Sequence, residues 1–235
     1  MRLRICFSKA GALRYTGHLD LQRIWERTAR RAGLQLAYSQ GFHPQPKIQV
    51  AAALPLGFVG LAELVDLWLD PAGVDPAPED GEIWRSAVAE RLQAAAPPGL
   101  GVIRIDEVEE QGPALQTQVI AAEYRVTLRQ PPAEDELAGR LEALLASATL
   151  PRQRRGKAYD LRPLIEAAAL LPPDVDGTAP GARVLALRLS ARAGATGRPE
   201  EVLEALGIPP EDCLVERVRL VMQASQPAAN IEYNS

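Results

Sequence analysis

Two residues, His18 and His43, are the only imidazoles in the 235-residue chain, and both lie between Arg14 and Gly60. Imidazole is the side chain that ordinarily exchanges protons near neutrality, so this segment holds nearly all of the chain's capacity for acid–base chemistry there. His18 stands in Thr16-Gly17-His18-Leu19-Asp20, at the expected entry to a helix, where the helix dipole lowers an imidazole pKa and favours anions. A neutral imidazole in that place can act as a general base. It can equally well pack against the helix start while Asp20 offsets the dipole, and the residues leave both roles open.

His43 belongs to Gly41-Phe42-His43-Pro44-Gln45-Pro46-Lys47. Two prolines fix their own φ angles and restrict the residues before them, which makes the loop stiff. Phe42 offers a stacking face, His43 a titratable ring and Lys47 a phosphate partner, a mixture suited to single-stranded RNA. A hairpin turn with Phe42 packed inward fits the same residues. Arg152-Gln153-Arg154-Arg155-Gly156-Lys157, extended by Arg162 and interleaved with Tyr159, is the densest basic run. Its cations Arg152, Arg154, Arg155, Lys157 and Arg162 favour a phosphate backbone over a merely solvated face. Gly194 to Glu200 resembles an anion nest opening a helix, but Glu200 and Glu201 repel phosphate and favour ordinary helix-start punctuation.

These groups need elements to hold them. Arg2 to Ser8 alternates as a half-buried strand. From Leu19 to Ala32, Leu21, Ile24, Trp25, Thr28 and Ala32 recur at helical spacing, while Arg23, Arg27, Arg30 and Arg31 form a basic outer face and Gly33 ends the helix. Leu34–Tyr38, Lys47–Leu54 and Glu63–Leu69 are predicted as strands, Ile83–Ala95 as a helix and Val102–Val108 as a strand. Gln111–Gln118 reads as a linker. Beyond it come a strand at Tyr124–Leu128, a helix at Glu134–Ala146, a strand at Arg183–Ser190, a helix at Pro199–Leu206 and a strand at Leu214–Met222.

This order predicts an α+β chain of two tandem ferredoxin-like modules, with antiparallel sheets each covered by helices. The expected divisions are 1–110, a linker at 111–120, a second module at 121–224 and a loose tail at 225–235.

Composition bounds the partners. With 47% apolar and 24% charged residues the chain has ordinary globular composition, and its net charge of −4 means that RNA binding must come from local basic patches. Cys6 and Cys213 are the only cysteines. They supply neither a three-cysteine iron–sulfur motif nor a zinc finger, and no cofactor or metal is expected in this chain. No apolar run approaches a membrane span and Met1–Gly11 carries charges, so the expectation is a soluble cytoplasmic protein without membrane contact. No Walker A loop, nucleophile elbow or HExxH motif occurs.

The stretches RYTGHLDLQRIWERTARRAG, LAYSQGFHPQPKI, ALPLG, RRGKAYDLRPLI and GRPEEVLEALGI together resemble the bacterial radical SAM-linked proteins, a domain-of-unknown-function family. The resemblance runs from Arg2 to about Leu220. Members are fused to, or encoded beside, cobalamin-binding-type radical SAM proteins. It implies that this chain is the partner component, that the iron–sulfur chemistry lies on another polypeptide, and that the setting is RNA modification or processing. It assigns no residue a role.

The favoured expectation is a non-catalytic or co-catalytic accessory protein, binding tRNA or rRNA through Arg23, Arg27, Arg30, Arg31, Phe42, Lys47 and the 152–162 run. A second is a metal-independent RNA-processing enzyme using His18 or His43 as general acid or base. A third is a protein-docking module that binds no RNA.

Overall fold

The computed structural model describes residues 1–70, 81–154, 156–172 and 181–223. Strand β1 (Arg2–Lys9) sets the first layer. Its alternation places Leu3, Ile5 and Phe7 on one face, each fully buried. Helix α1 (His18–Arg31) lays Leu21, Trp25, Thr28 and Ala29 on that face, and Trp25 meets Phe7 edge-on at 5.0 Å between ring centroids. Gly33, at φ +71°, ends the helix in the left-handed conformation that a side chain would resist.

Strands β2 (Ile48–Val50) and β3 (Val59–Trp68), helix α2 (Gly81–Ala95) and strand β4 (Leu100–Val108) complete the first half. The spatial order is β4-β1-β3-β2, with antiparallel neighbours throughout. The segment predicted as a strand at Leu34–Tyr38 makes only isolated bridges, Leu36 to Leu69 and Tyr38 to Pro46.

The second half repeats the pattern. Strand β5 (Val119–Leu128) is followed by helix α3 (Glu134–Ala146), a two-stranded ribbon of β6 (Pro151–Arg154) and β7 (Lys157–Asp160), then β8 (Ile165–Leu170) and β9 (Arg183–Arg192). Short β10 (Ala195–Thr196), helix α4 (Pro199–Ala205) and β11 (Cys213–Met222) follow. The main strands lie in the order β11-β5-β9-β8, again antiparallel.

The expectation of two sheets is corrected by one contact between the halves. β11 pairs in parallel with β3, Glu216 opposite Val59 and Arg217 opposite Gly60, which merges the strands into a single, mostly antiparallel nine-stranded sheet. β3 is long enough to receive β11 at its start and β2 at Val65–Leu67.

Two apolar clusters follow the halves, except that some residues of the first half enter the second cluster. Leu54 of the Ala-Leu-Pro-Leu-Gly stretch and its flanking residues Ala51 and Phe58 pack into the second cluster, as does fully buried Leu115 of the predicted linker. The linker expected at 111–120 is therefore packed, with a 3-10 turn at Leu115–Gln118 leading straight into β5. Residues of β5, β9 and β11 that alternate with the second core carry a lattice of ion pairs: Glu123 with Arg188 and Arg219, Arg125 with Glu216, and Glu166 of β8 with Arg188 and Arg192. The tail expected at 225–235 lies outside the described residues. Among the described residues no helix is long and apolar enough to cross a membrane.

Candidate nucleic-acid interface

The basic run folds as the β6–β7 ribbon. Gly156 takes φ +77° at the turn, a conformation only glycine adopts cheaply, so the two short strands close on each other. Arg152 pairs with Tyr159 and Arg154 with Lys157. Directly opposed residues in an antiparallel pair point to the same side, and alternate residues along a strand share a face. Arg152, Arg154, Lys157 and Tyr159 therefore stand together on one face. Among the described residues neither Arg154 nor Lys157 has an ion-pair partner, so two cations oppose each other without a carboxylate between them. Arg155 lies outside the described residues.

That face borders a cleft of about 630 Å³ lined by Arg154, Lys157, Tyr159, Asp160, Leu164 and the backbone turn Gly194-Ala195-Thr196. Tyr159 packs its ring on the second core while its hydroxyl, buried, makes no hydrogen bond. Burial first, and the nearby Glu201 carboxylate second, push this phenol up to about 12. The two groups interact electrostatically without hydrogen-bond geometry. Asp160 is held inward by backbone N–H groups, its Oδ1 accepting from Leu150 at 2.7 Å and Arg162 at 3.0 Å.

Arg162 does not join the ribbon face. Its Nε and Nη2 donate to the Leu145 carbonyl at 3.1 and 2.9 Å and its Nη1 to the Ile165 carbonyl at 3.2 Å. The guanidinium thereby satisfies the C-terminal end of α3, where main-chain carbonyls lack helical partners.

The other predicted cations surround α1. Arg23, Arg27, Arg30 and Arg31 are all exposed, as expected of an outer face. Two of them are neutralised locally: Arg23 contacts Asp20 at 3.3 Å and Arg30 contacts Glu26 at 2.8 Å. Arg30 also reaches the Tyr38 hydroxyl at 3.4 Å, which brings the helix and the proline loop together. The loop is closed by the Ser39 N–H donating to the Gln45 carbonyl and the Gln45 N–H donating to Ser39 Oγ. Phe42 at its tip is wholly exposed, so the inward-packed alternative does not hold. His43 and Lys47 are exposed beside it. Grooves of about 360 and 370 Å³ flank Gln45, Pro46 and Ile48, one reaching Trp68 and the other Leu19, Gln22, Arg23 and Glu26.

His18 is placed differently from His43. It is the first residue of α1, half-buried, and its Nδ1 is buried without a partner. Burial, with a smaller push from the Lys9 charge, holds its pKa below the ordinary value. Lys9 is itself buried and donates from Nζ to the Thr16 carbonyl at 2.8 Å. Nearby, at the junction of β3 and β11, Glu63 and Arg217 form a buried ion pair. Lys9, Glu63 and Arg217 are polar residues that motif reasoning overlooked. The available signal was phase: Glu63 alternates with Val65 and Leu67, and Arg217 with Val215, so each charge falls on the buried beat of its strand. Among the described residues no three His, Cys, Asp or Glu side chains converge as metal ligands.

A family profile described as an uncharacterized protein conserved in bacteria matches residues 2–199. No curated protein matches the chain. Among solved structures, the crystal structure of a Cbf5-Nop10-Gar1 complex is similar at 10% identity and TM-score 0.48, over 93% of this chain and 48% of that one. The crystal structure of the archaeal box H/ACA sRNP Nop10-Cbf5 complex is similar at 12% identity and TM-score 0.42, over 93% of this chain and 47% of that one. The chain spans about half the length of these two chains, and neither likeness is close enough to bear on fold or function.

Proposed function

The chain belongs to the DUF2344 family of proteins conserved in bacteria, and from that premise we propose that it is an RNA-binding accessory protein of an RNA modification or processing pathway. It is built from two ferredoxin-like modules, 1–110 and 121–224, an arrangement supported by the matching orders β4-β1-β3-β2 and β11-β5-β9-β8. The observation that carries the RNA reading is the opposition of Arg154 and Lys157 on the ribbon. Like charges directly opposed across a strand pair destabilise the free protein, and an anion laid between them turns the repulsion into binding. A row of phosphates is an anion with the repeat to engage Arg152 as well.

The test is RNA affinity against salt for the native chain and for a variant carrying Arg152→Gln, Arg154→Gln and Lys157→Gln. Removing three phosphate contacts from a single strand lowers the log–log salt slope by about 2. An unchanged slope removes the ribbon from the interface. The partner enzyme in this proposal is a radical SAM protein carrying the iron–sulfur cluster on its own polypeptide; this part is supported by the motif resemblance. Co-purification from native cells tests it, and recovery of the tagged chain without such a protein counts against it.

A second reading, metal-independent RNA cleavage, is favoured by one observation: the half-buried, proton-poor imidazole of His18. His43, exposed at a loop tip, has no comparable surroundings. If the purified chain cleaves RNA and His18→Ala cleaves at the native rate, this mechanism fails.

A further inference from the structure

The ribbon does more than present charge, because it forms one wall of a concave site. Opposite Arg154 and Lys157 lies the β9–β10 turn, where Gly194 takes φ +77° and a Cβ built on it would meet nothing within 4 Å. The Gly197 N–H donates to the Ser190 carbonyl at 2.9 Å and Ser190 Oγ to the Ala195 carbonyl at 2.7 Å, so the turn is fixed by its own hydrogen bonds. Between the walls, Leu164 and the edge of Tyr159 supply apolar surface. A double helix contacts a protein through phosphates while its bases stay stacked inside, and such a contact needs a cationic surface but no cleft. A splayed nucleotide, by contrast, joins a flat, partly apolar base to an anionic phosphate. The cleft has that same composition: an apolar base, one cationic wall and a rigid backbone wall. Its volume of about 630 Å³ falls in the usual range for small-ligand sites.

We propose that this cleft is a nucleotide-binding pocket that receives one unstacked base of single-stranded RNA, its phosphate held by Arg154 and Lys157. This inference rests on the RNA reading of the ribbon and adds strand selectivity to it. Two carboxylates stand at this site: Asp160 in the lining, its Oδ1 accepting from the Leu150 and Arg162 N–H groups, and Glu201 beside Tyr159, so the phosphate is placed on the Arg154 and Lys157 side.

The test compares binding of a ten-nucleotide oligouridylate with that of an RNA duplex of equal length at matched salt. The native chain prefers the single strand by about tenfold, the scale of one stacked base. Uridine 5′-monophosphate displaces the single strand, whereas inorganic phosphate at the same concentration does not. Thr196→Trp fills the cleft and removes the preference while leaving the charge-driven binding of duplex. Equal affinity of the native chain for the two RNAs, failure of uridine 5′-monophosphate to compete, or an undiminished preference in a folded Thr196→Trp variant overturns the proposal. The native-chain arms decide the matter even if the variant does not fold. Loss of binding on neutralising Arg152, Arg154 and Lys157, together with no strand preference, sinks the pocket and leaves the RNA reading standing.

Discussion

Arg217 on β11 donates from Nε to Glu63 Oε1 on β3 at 2.7 Å, across the line where the two halves of the sheet meet. Both side chains are almost wholly buried. Arg217 Nη2 also donates to Glu63 Oε2, while its Nη1 and Nη2 reach the Ala53 and Ala52 carbonyls at 3.0 Å each, tying the start of the Ala-Leu-Pro-Leu-Gly segment to the same junction. The pair thus joins β3, β11 and the loop whose apolar residues enter the second core.

Removing one partner leaves the other charge buried and uncompensated. Glu63→Ala is expected to destabilise the fold by about 3–5 kcal/mol, read from urea midpoints. Replacing both, Glu63→Leu with Arg217→Leu, costs less than the sum of the single changes, because neither member of the pair is left facing an uncharged partner. Additive costs would show that the two residues do not act as a pair.

His18 makes stability depend on pH with a definite sign. Burial lowers its folded-state pKa, so the folded chain binds this proton more weakly than the unfolded chain. Its contribution is present above the ordinary value of about 6.5 and is lost as the pH falls through that value towards the folded one. The native chain is therefore expected to lose thermal stability between neutral pH and about pH 5, and His18→Gln to lose less over the same interval. Identical slopes in thermal melts would exclude His18 as the group responsible.

Arg162 separates structural cations from binding ones. Arg162→Gln breaks its bonds to the Leu145 and Ile165 carbonyls and is expected to cost about 1–3 kcal/mol of stability, with RNA affinity unchanged at temperatures where the variant is folded. Arg154→Gln is expected to do the reverse. A drop in RNA affinity for folded Arg162→Gln would return that residue to the interface.

Much of the scaffold was legible because its signals are local. The spacing of Leu21, Trp25 and Thr28 identifies α1, the alternation of Leu3, Ile5 and Phe7 identifies β1, and Gly33 marks the helix end. The α1 arginines lie at the surface as their pattern indicates, whereas the residues around Phe42 left its direction open and only the structure turns it outward. What escaped is non-local. Nothing around Glu63 says that its partner lies 154 residues later, and so the fusion of two sheets through β11 was invisible. The strands β6 and β7 were hidden inside a charge run, since Pro-Arg-Gln-Arg and Lys-Ala-Tyr-Asp, four residues each, give no apolar alternation. The role of Arg162 depends on a helix end seventeen residues earlier, and the weakness of Arg23 and Arg30 as free cations on acids one turn away, at Asp20 and Glu26.

The position of β11 between β5 and β3 also bears on how the chain is made. A nascent chain still lacking residues 213–222 holds two half-sheets, each with a bare inner edge and no bridge to the other. Until that segment leaves the ribosome, the length of β5 and the Val59–Gly60 start of β3 offer unpaired backbone to any passing strand, a hazard that native edges are normally shaped to avoid. The final pairing closes both edges at once. Emergence of residues 213–222, more than the folding of either half, is thus the step that covers these edges, and chains truncated before residue 213 are expected to aggregate more readily than chains that include β11.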